Sequence, residues 1–441
     1  MKAPVLEISE WVQLDEGQRC RLLGRPAQLG LAATQESVRE ITRKVREAGD
    51  QALFELTERF DRIRLESLEV GAAELDAAAD SVSAADRAAL DFAIATVGRF
   101  HEAQRCPPLA IETAPGVVCE RLELPIDSIG MYVPAGSAPL PSTAIMLAVP
   151  ARIANCRLRV LCTPPRADGR ADPAVLYVAR TCGVHKVFKL GGAQAIAALA
   201  YGTESVPRVD KIFGPGNAWV TAAKQLAAID PEGAACDLPA GPSEVFVIAD
   251  ESAQPDFVAA DLLAQAEHSA DAQVILASTS RDLIGRVNEE LLRQSVKRKR
   301  TAIISAALAR GHAILVPDLR TAFEIGNRYA PEHLIIATEY PRVWLAQVTS
   351  AGSVFLGHWT PEVLGDYCSG TNHVLPTQGY ARSHSGLSLT DFTRRMTVQQ
   401  ATRDGLAQLG PVAQRLALLE GLDAHAQAVA VRLDGAHVGA T

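Results

Sequence analysis

Paired cysteines, excess basic charge, aromatic clusters and long apolar runs are all scarce or missing in this chain of 441 residues. Its eight cysteines (Cys20, Cys106, Cys119, Cys156, Cys162, Cys182, Cys236 and Cys368) form no CxxC. Neither a disulfide framework nor a thiolate zinc knuckle is therefore expected; reduced, mostly buried thiols are. Lys and Arg number 43 against 51 Asp and Glu, a net charge of -8, which excludes a nucleic-acid grip built on basic surface. Aromatic residues are only 5%, too few for a base-stacking platform. No apolar run reaches the roughly 18–20 residues of a membrane span. The start, MKAPVLEISEWVQLDEGQRC, has no apolar stretch after its Lys, so no secretory signal is expected and the location expected is cytoplasmic. What is present is 48% hydrophobic and 21% charged residues, the composition of a chain with a large packed core. The length suits two to four domains of about 100–200 residues.

The chain opens with helical periodicity. TQESVREITRKVREAGDQALFELTERFD (34–61) and AADRAALDFAIATVGRFHEAQ (84–104) both space their apolar residues for helices. LELPIDSIGMYVP (122–134) reads as a strand, followed by a Pro- and Ser-rich turn and an apolar helix. Strand and helix then alternate through RLRVLCT, AVLYVARTCG, KVFKLGG, AQAIAALAYG, VDKIFGPG and AWVTAAKQLAA. A second alternation starts at SEVFVIAD (243–250) and ends at GSVFLG. Apolar strands alternating with helices of about ten residues or more mark parallel sheets, here two Rossmann-like runs. From about Ser388 the reading returns to helix.

Glycine loops are the first chemical candidates. LGGAQA (190–195) and FGPGNAW (213–219) each follow a strand and open a helix, which aims backbone N–H groups at a phosphate. The G-x-G-x-x-G fingerprint is absent, and glycine after a parallel strand is also ordinary turn chemistry. Asn217 at the second loop reads equally as an N-cap.

Polar clusters come next. In LLAQAEHSAD, Gln265 and His268 lie three apart on one helical face. GDYCSGTNH offers Asp366 and His373 in a loop, and EGLDAHAQAV offers Glu420 and His425 near the start of a helix. Two His, a carboxylate and an amide suit a borderline-hard zinc site of the catalytic type, although spacing alone cannot join the segments. In YAPEHLII, Pro331 is expected to hold Ala330 extended, with Glu332 and His333 just before a strand. The two serve one site only if they precede the ladder, because neighbours on a strand face opposite ways. Glu and His make an acid/base pair near neutral pH; the alternative is a surface Glu beside a hydrogen-bonded His.

The segments IGMYVPAGSAPLPST, KLGGAQAIAALAYGT, VDKIFGPGN, DLPAGPSEV, LLAQAEH, APEHLII, GDYCSGTNHVLPT, RRMTVQ and EGLDAHAQAV together resemble the histidinol dehydrogenase family, in order and spacing, over nearly the whole chain. The resemblance implies two-step oxidation of L-histidinol through L-histidinal to L-histidine, with two NAD consumed per turnover and one zinc per subunit. It implies zinc ligands at Gln265, His268, Asp366 and His425, and an acid/base pair at Glu332 and His333. Substrate contacts fall at Ser243, His373 and Glu420 together with the ligands and His333, and NAD contacts at Tyr132, Gln194 and Asn217. Ser269 and Ala270 depart from the Gly, Asp or Pro expected after His268. Cys368, two residues from Asp366, raises the question of a covalent thiohemiacetal; the simpler reading is a small side chain that fits its loop.

The resemblance also implies a homodimer with shared sites, in which the tail carries His425 to the partner subunit. The expected division is an N-terminal helical segment (1–26), a large α/β domain carrying zinc and acid/base residues (27–135 with 243–387), a second Rossmann-like domain (136–242) and a helical tail (388–441). No nucleic-acid or membrane partner is expected. Two rivals are weighed: a zinc- and NAD-dependent dehydrogenase of another polar alcohol, such as a sulfonated diol, and a catalytically silent binding protein. Glu420 with His373 favours an amine- and imidazole-bearing substrate over the first.

Overall fold

The computed structural model describes residues 5–25, 31–135, 139–239 and 241–434. The expected boundary at 26/27 and the opening residue 136 of the second domain lie outside the described residues. The chain divides into two units, Met1–Gln104 with Ile126–Phe392, and Arg105–Pro125 with Thr393–Thr441.

The first unit holds two parallel sheets, so the fold is α/β as read from the sequence. The six-stranded sheet runs Glu7–Glu10, His312–Leu315, Gln273–Ser278, Glu244–Ala249, His333–Ala337 and Ser353–Leu356 from edge to edge. The five-stranded sheet runs Lys186–Lys189, Leu158–Thr163, Ser128–Tyr132, Lys211–Phe213 and Ala235–Cys236. Counted in chain order from Glu244–Ala249 and from Ser128–Tyr132, five strands of each sheet run 3-2-1-4-5, the order of doubly wound folds, and Glu7–Glu10 adds a sixth beyond His312–Leu315 in the larger sheet. This shared order is what duplicated Rossmann-like halves would give. The central strands are buried on both faces: every residue of Glu244–Ala249 and Gln273–Ser278 is buried, which is why Val245–Ala249 and Val274–Ala277 read as apolar runs.

Several expectations need correction. The N-terminal segment is not wholly helical, because Glu7–Glu10 pairs in parallel with His312–Leu315 as an edge strand. The helix over 34–61 spans Leu31–Asp61 and is broken at Gly49, whose φ of 51° and ψ of -132° no helix accommodates. LELPIDSIGMYVP is two strands, Val117–Pro125 and Ser128–Tyr132, in different sheets; Pro125 lacks the N–H to carry a ladder onward. The tail opens with a strand, Thr393–Ala401, antiparallel to Val117–Pro125, which also pairs with Leu109–Ala114.

That three-stranded sheet and the helices Arg403–Leu419 and Asp423–Leu433 make up the second unit. Its buried apolar side chains, among the described residues, are Val117, Ala417 and Ala426, a very small core. Leu409, Val412, Leu416 and Leu419 form an apolar stripe on Arg403–Leu419 that is exposed, up to 67% at Leu419. No described helix is long and apolar enough to cross a membrane.

Candidate active site

One cleft of about 1520 Å³ runs through the first unit. One wall is the carboxyl edge of the five-stranded sheet, the crevice where doubly wound folds bind ligands. Tyr132 ends the first strand of that sheet, Gly191 and Gly192 follow the third, and Gly216 and Asn217 follow the fourth. The buried Tyr132 hydroxyl accepts from the Gly192 N–H at 3.0 Å, so the ring and the loop fix one another. Gly192 has a φ of 63°, and a Cβ there would meet Gln194 Oε1 at 2.9 Å. Asn217 caps Ala218–Ile229 through its side-chain oxygen, accepting from Trp219 and Val220 N–H, so the cap reading holds while the residue also lines the cleft. Asp61, which sequence reasoning missed, lines this wall; burial raises its carboxyl to about 6.

The opposite wall is the amino edge of the six-stranded sheet, where Ser243, Glu332 and His333 stand. His333 opens its strand opposite Val245, so Glu332 precedes the ladder and both side chains reach one site. Ala330 is not extended. It takes the left-handed conformation (φ 54°, ψ 68°) that ends Leu319–Tyr329, its N–H bonded to Gly326 O, and capping outweighs the bias set by Pro331. The Glu244 peptide holds both residues: its N–H donates to Glu332 Oε2 at 2.8 Å, and its carbonyl accepts from His333 Nδ1 at 3.1 Å. A carbonyl can only accept, so Nδ1 carries the proton and the Nε2 lone pair is free. Nε2 is buried without a partner, 3.7 Å from Asp366 Oδ1. Burial pushes His333 down to about 4, against the opposing pull of Asp366, and holds Glu332 well above the usual carboxylate range. Such opposed shifts mark acid/base pairs.

Asp366 is not in a loop but in the last turn of the short helix Glu362–Tyr367. His373 follows in irregular chain; its Nδ1 donates to Asp366 O at 2.7 Å and its Nε2 bonds the Thr143 hydroxyl at 3.2 Å. His268 is likewise off the helix, because Pro255–Ala266 is capped at Glu267. Its Nδ1 contacts Ala264 O at 3.1 Å, which leaves Nε2 bare. Gln265 is fully buried, with both amide atoms unpartnered. An orphaned amide, a bare imidazole nitrogen and a buried carboxylate are the donors a zinc ion would satisfy, with imidazoles oriented from behind by backbone carbonyls. Among the described residues no three His, Cys, Asp or Glu side chains make a metal shell by themselves.

Glu420 and His425 belong to the second unit. Glu420 caps the C-terminus of Arg403–Leu419 and His425 lies in the first turn of Asp423–Leu433, both exposed. Cys368 is half-buried and packs against the core beside its helix. Sequence reasoning also missed Glu362, a fully buried carboxylate with both oxygens unpartnered and Oε1 3.7 Å from His333 Nδ1. Its spacing of four from Asp366 on one helix was the available signal.

A Gly-rich crevice and a buried His–carboxylate cluster lining one cleft are features of an α/β enzyme. A family model described as histidinol dehydrogenase matches residues 25–433. A histidinol dehydrogenase of Xanthomonas campestris pv. campestris is 56% identical over 96% of this chain and 98% of its own length. One of Vibrio cholerae is 51% identical over 96% and 97%. The crystal structure of histidinol dehydrogenase from Elizabethkingia anophelis superposes with a TM-score of 0.94 at 42% identity, covering 98% of this chain and 99% of that one. The chain belongs to the histidinol dehydrogenase family, whose members are oxidoreductases of histidine biosynthesis. The reading as a dehydrogenase of another polar alcohol gains no support from these relatives.

Proposed function

We propose that this chain oxidises L-histidinol to L-histidine in two steps at the cleft, using NAD and one zinc ion per subunit. The observation that carries the reading is that the Gly191–Gly192 and Gly216–Asn217 loops and the Glu332–His333–Asp366 cluster line one cleft. Zinc, held by Gln265, His268, Asp366 and a partner's residue equivalent to His425, supplies a Lewis acid that orients a nitrogen-bearing alcohol. NAD, held by Tyr132, Gln194 and Asn217, supplies the hydride acceptor for each oxidation.

The chain's own residues move the protons. His333, neutral and with Nε2 free, takes the hydroxyl proton as the alcohol becomes the aldehyde. Glu332, whose proton burial favours, must first release it and then takes a proton from the water that adds to the aldehyde carbon. His333, having passed its first proton to solvent, then takes the hydrate's hydroxyl proton in the second oxidation. Ser243 and His373, with Glu420 of the partner subunit, hold the polar ends of the substrate. Retaining the aldehyde between the two oxidations protects a reactive species from water.

The exposed stripe on Arg403–Leu419 supports a homodimer, because a unit with so small a core gains its stability by docking on a large surface. His425 then completes the partner subunit's zinc shell, and Glu420 its substrate pocket. A cytoplasmic location fits a biosynthetic enzyme with unpaired thiols. Steady-state NADH formation with L-histidinol, a sulfonated diol and a simple diol tests the substrate: rapid turnover of histidinol alone is expected, and preference for either diol would overturn the reading.

A further inference from the structure

The acid/base pair hangs from the peptide of one residue, Glu244, whose side chain is itself gripped from a distant part of the chain. The Glu244 side chain is 1% exposed. Arg25, which follows the helix Glu16–Leu22, meets it as a fork: Nε to Oε1 at 2.5 Å and Nη2 to Oε2 at 2.9 Å. The same Nη2 donates to Tyr329 O at 2.9 Å, and the guanidinium stacks on the Tyr329 ring, 4.0 Å from its centroid. Tyr329 stands just before the left-handed Ala330 that turns the chain into Glu332 and His333. Glu244 Oε1 also accepts the Gln378 N–H at 2.9 Å. One guanidinium therefore ties the start of the strand that holds the pair to the end of the helix that delivers it.

We propose that Arg25 is a positioning residue for the acid/base pair, acting through Glu244 and the Tyr329 carbonyl. A buried carboxylate stays where its bidentate partner holds it, and only a planar guanidinium can bond Glu244 twice while lying flat on Tyr329. Without Arg25, Glu244 is a buried, uncompensated charge that must move towards water or take a proton. Either change shifts the peptide whose N–H and carbonyl fix Glu332 Oε2 and His333 Nδ1. The cofactor loops stand on the other sheet, so NAD binding is not touched.

This inference rests on the acid/base reading of Glu332 and His333, and the test separates the two. In the intact enzyme, Arg25→Gln is expected to lower kcat about 10- to 100-fold, the range for residues that orient a catalytic group, with KM for NAD changed less than about twofold. Arg25→Lys, which keeps the charge and loses the fork, is expected to fall between Arg25→Gln and the parent. Added methylguanidinium is expected to restore part of the kcat of Arg25→Ala, which a general loss of stability would not allow. The proposal is overturned if Arg25→Gln and Arg25→Lys both keep kcat within about twofold while Glu332→Gln and His333→Asn are impaired. It is equally overturned if kcat and every KM deteriorate together and methylguanidinium restores nothing. Unimpaired Glu332→Gln and His333→Asn would instead remove the acid/base reading itself.

Discussion

His333 Nε2 lies 3.7 Å from Asp366 Oδ1, so the ring nitrogen left free by the Glu244 carbonyl faces the carboxylate of the proposed metal shell. A substrate hydroxyl oriented at that shell is thereby placed beside a neutral acceptor. Glu332, fixed by the Glu244 N–H, is left for a second task.

The division of labour is measurable. Glu332→Gln is expected to harm oxidation of histidinal far more than that of histidinol, because only the second half needs an activated water. His333→Asn is expected to harm both, each by roughly 100-fold or more, the scale of general acid–base catalysis. Single-turnover NADH formation started separately from the alcohol and the aldehyde reads the two halves. Equal damage to both halves by Glu332→Gln would refute the assignment.

Removal of metal by a chelator is expected to abolish turnover with little change in melting temperature, since the strands beside the site are already buried without it. His268→Ala and Asp366→Ala are expected to behave like the chelated enzyme and to bind less zinc by metal analysis. A chelated protein that unfolds, or that keeps full activity, contradicts this.

Much of this architecture is legible in the sequence, for a physical reason. Parallel strands covered on both faces, such as Glu244–Ala249, are apolar past their first residue, and the helices between them keep their period. The antiparallel sheet of the second unit left no such mark: Leu109–Ala114 and Thr393–Ala401 are mostly exposed, so neither alternation nor an apolar run betrays them. The conformation of Ala330 was illegible because it answers to the helix before it. Glu332 and His333 stood out as a pair, whereas joining Gln265, His268, Asp366 and His425 required family resemblance. Arg25, Glu244 and Glu362 escaped because their parts depend on contacts between strands and segments remote in sequence.

Asp261 gives the fold a pH signature. Burial raises its carboxyl from 3.8 to about 7. The native state therefore holds this proton more tightly than the unfolded chain, and the associated stability is complete below about pH 4. It is lost as pH rises towards 7, by at most about 4 kcal/mol. Asp261→Asn stays neutral throughout, so its stability relative to the parent is expected to improve between pH 4.5 and pH 8 in denaturant titrations. Parallel pH dependences for the two proteins would contradict the assignment.

Sharing of sites across a dimer is tested by complementation. His268→Ala and His425→Ala, each inactive alone, are mixed under conditions of subunit exchange. If His425 serves the partner, one of the two sites in each mixed dimer is intact and activity returns towards half of the parent's per mixed dimer. If each chain builds its own site, the mixture stays inactive.

The central claim is a four-electron oxidation at one site, and the yield of NADH from limiting L-histidinol with excess NAD measures it directly. The account predicts two NADH per histidinol, L-histidine as the product and no histidinal escaping to an aldehyde trap. One NADH per histidinol, with histidinal accumulating in the trap, would contradict it.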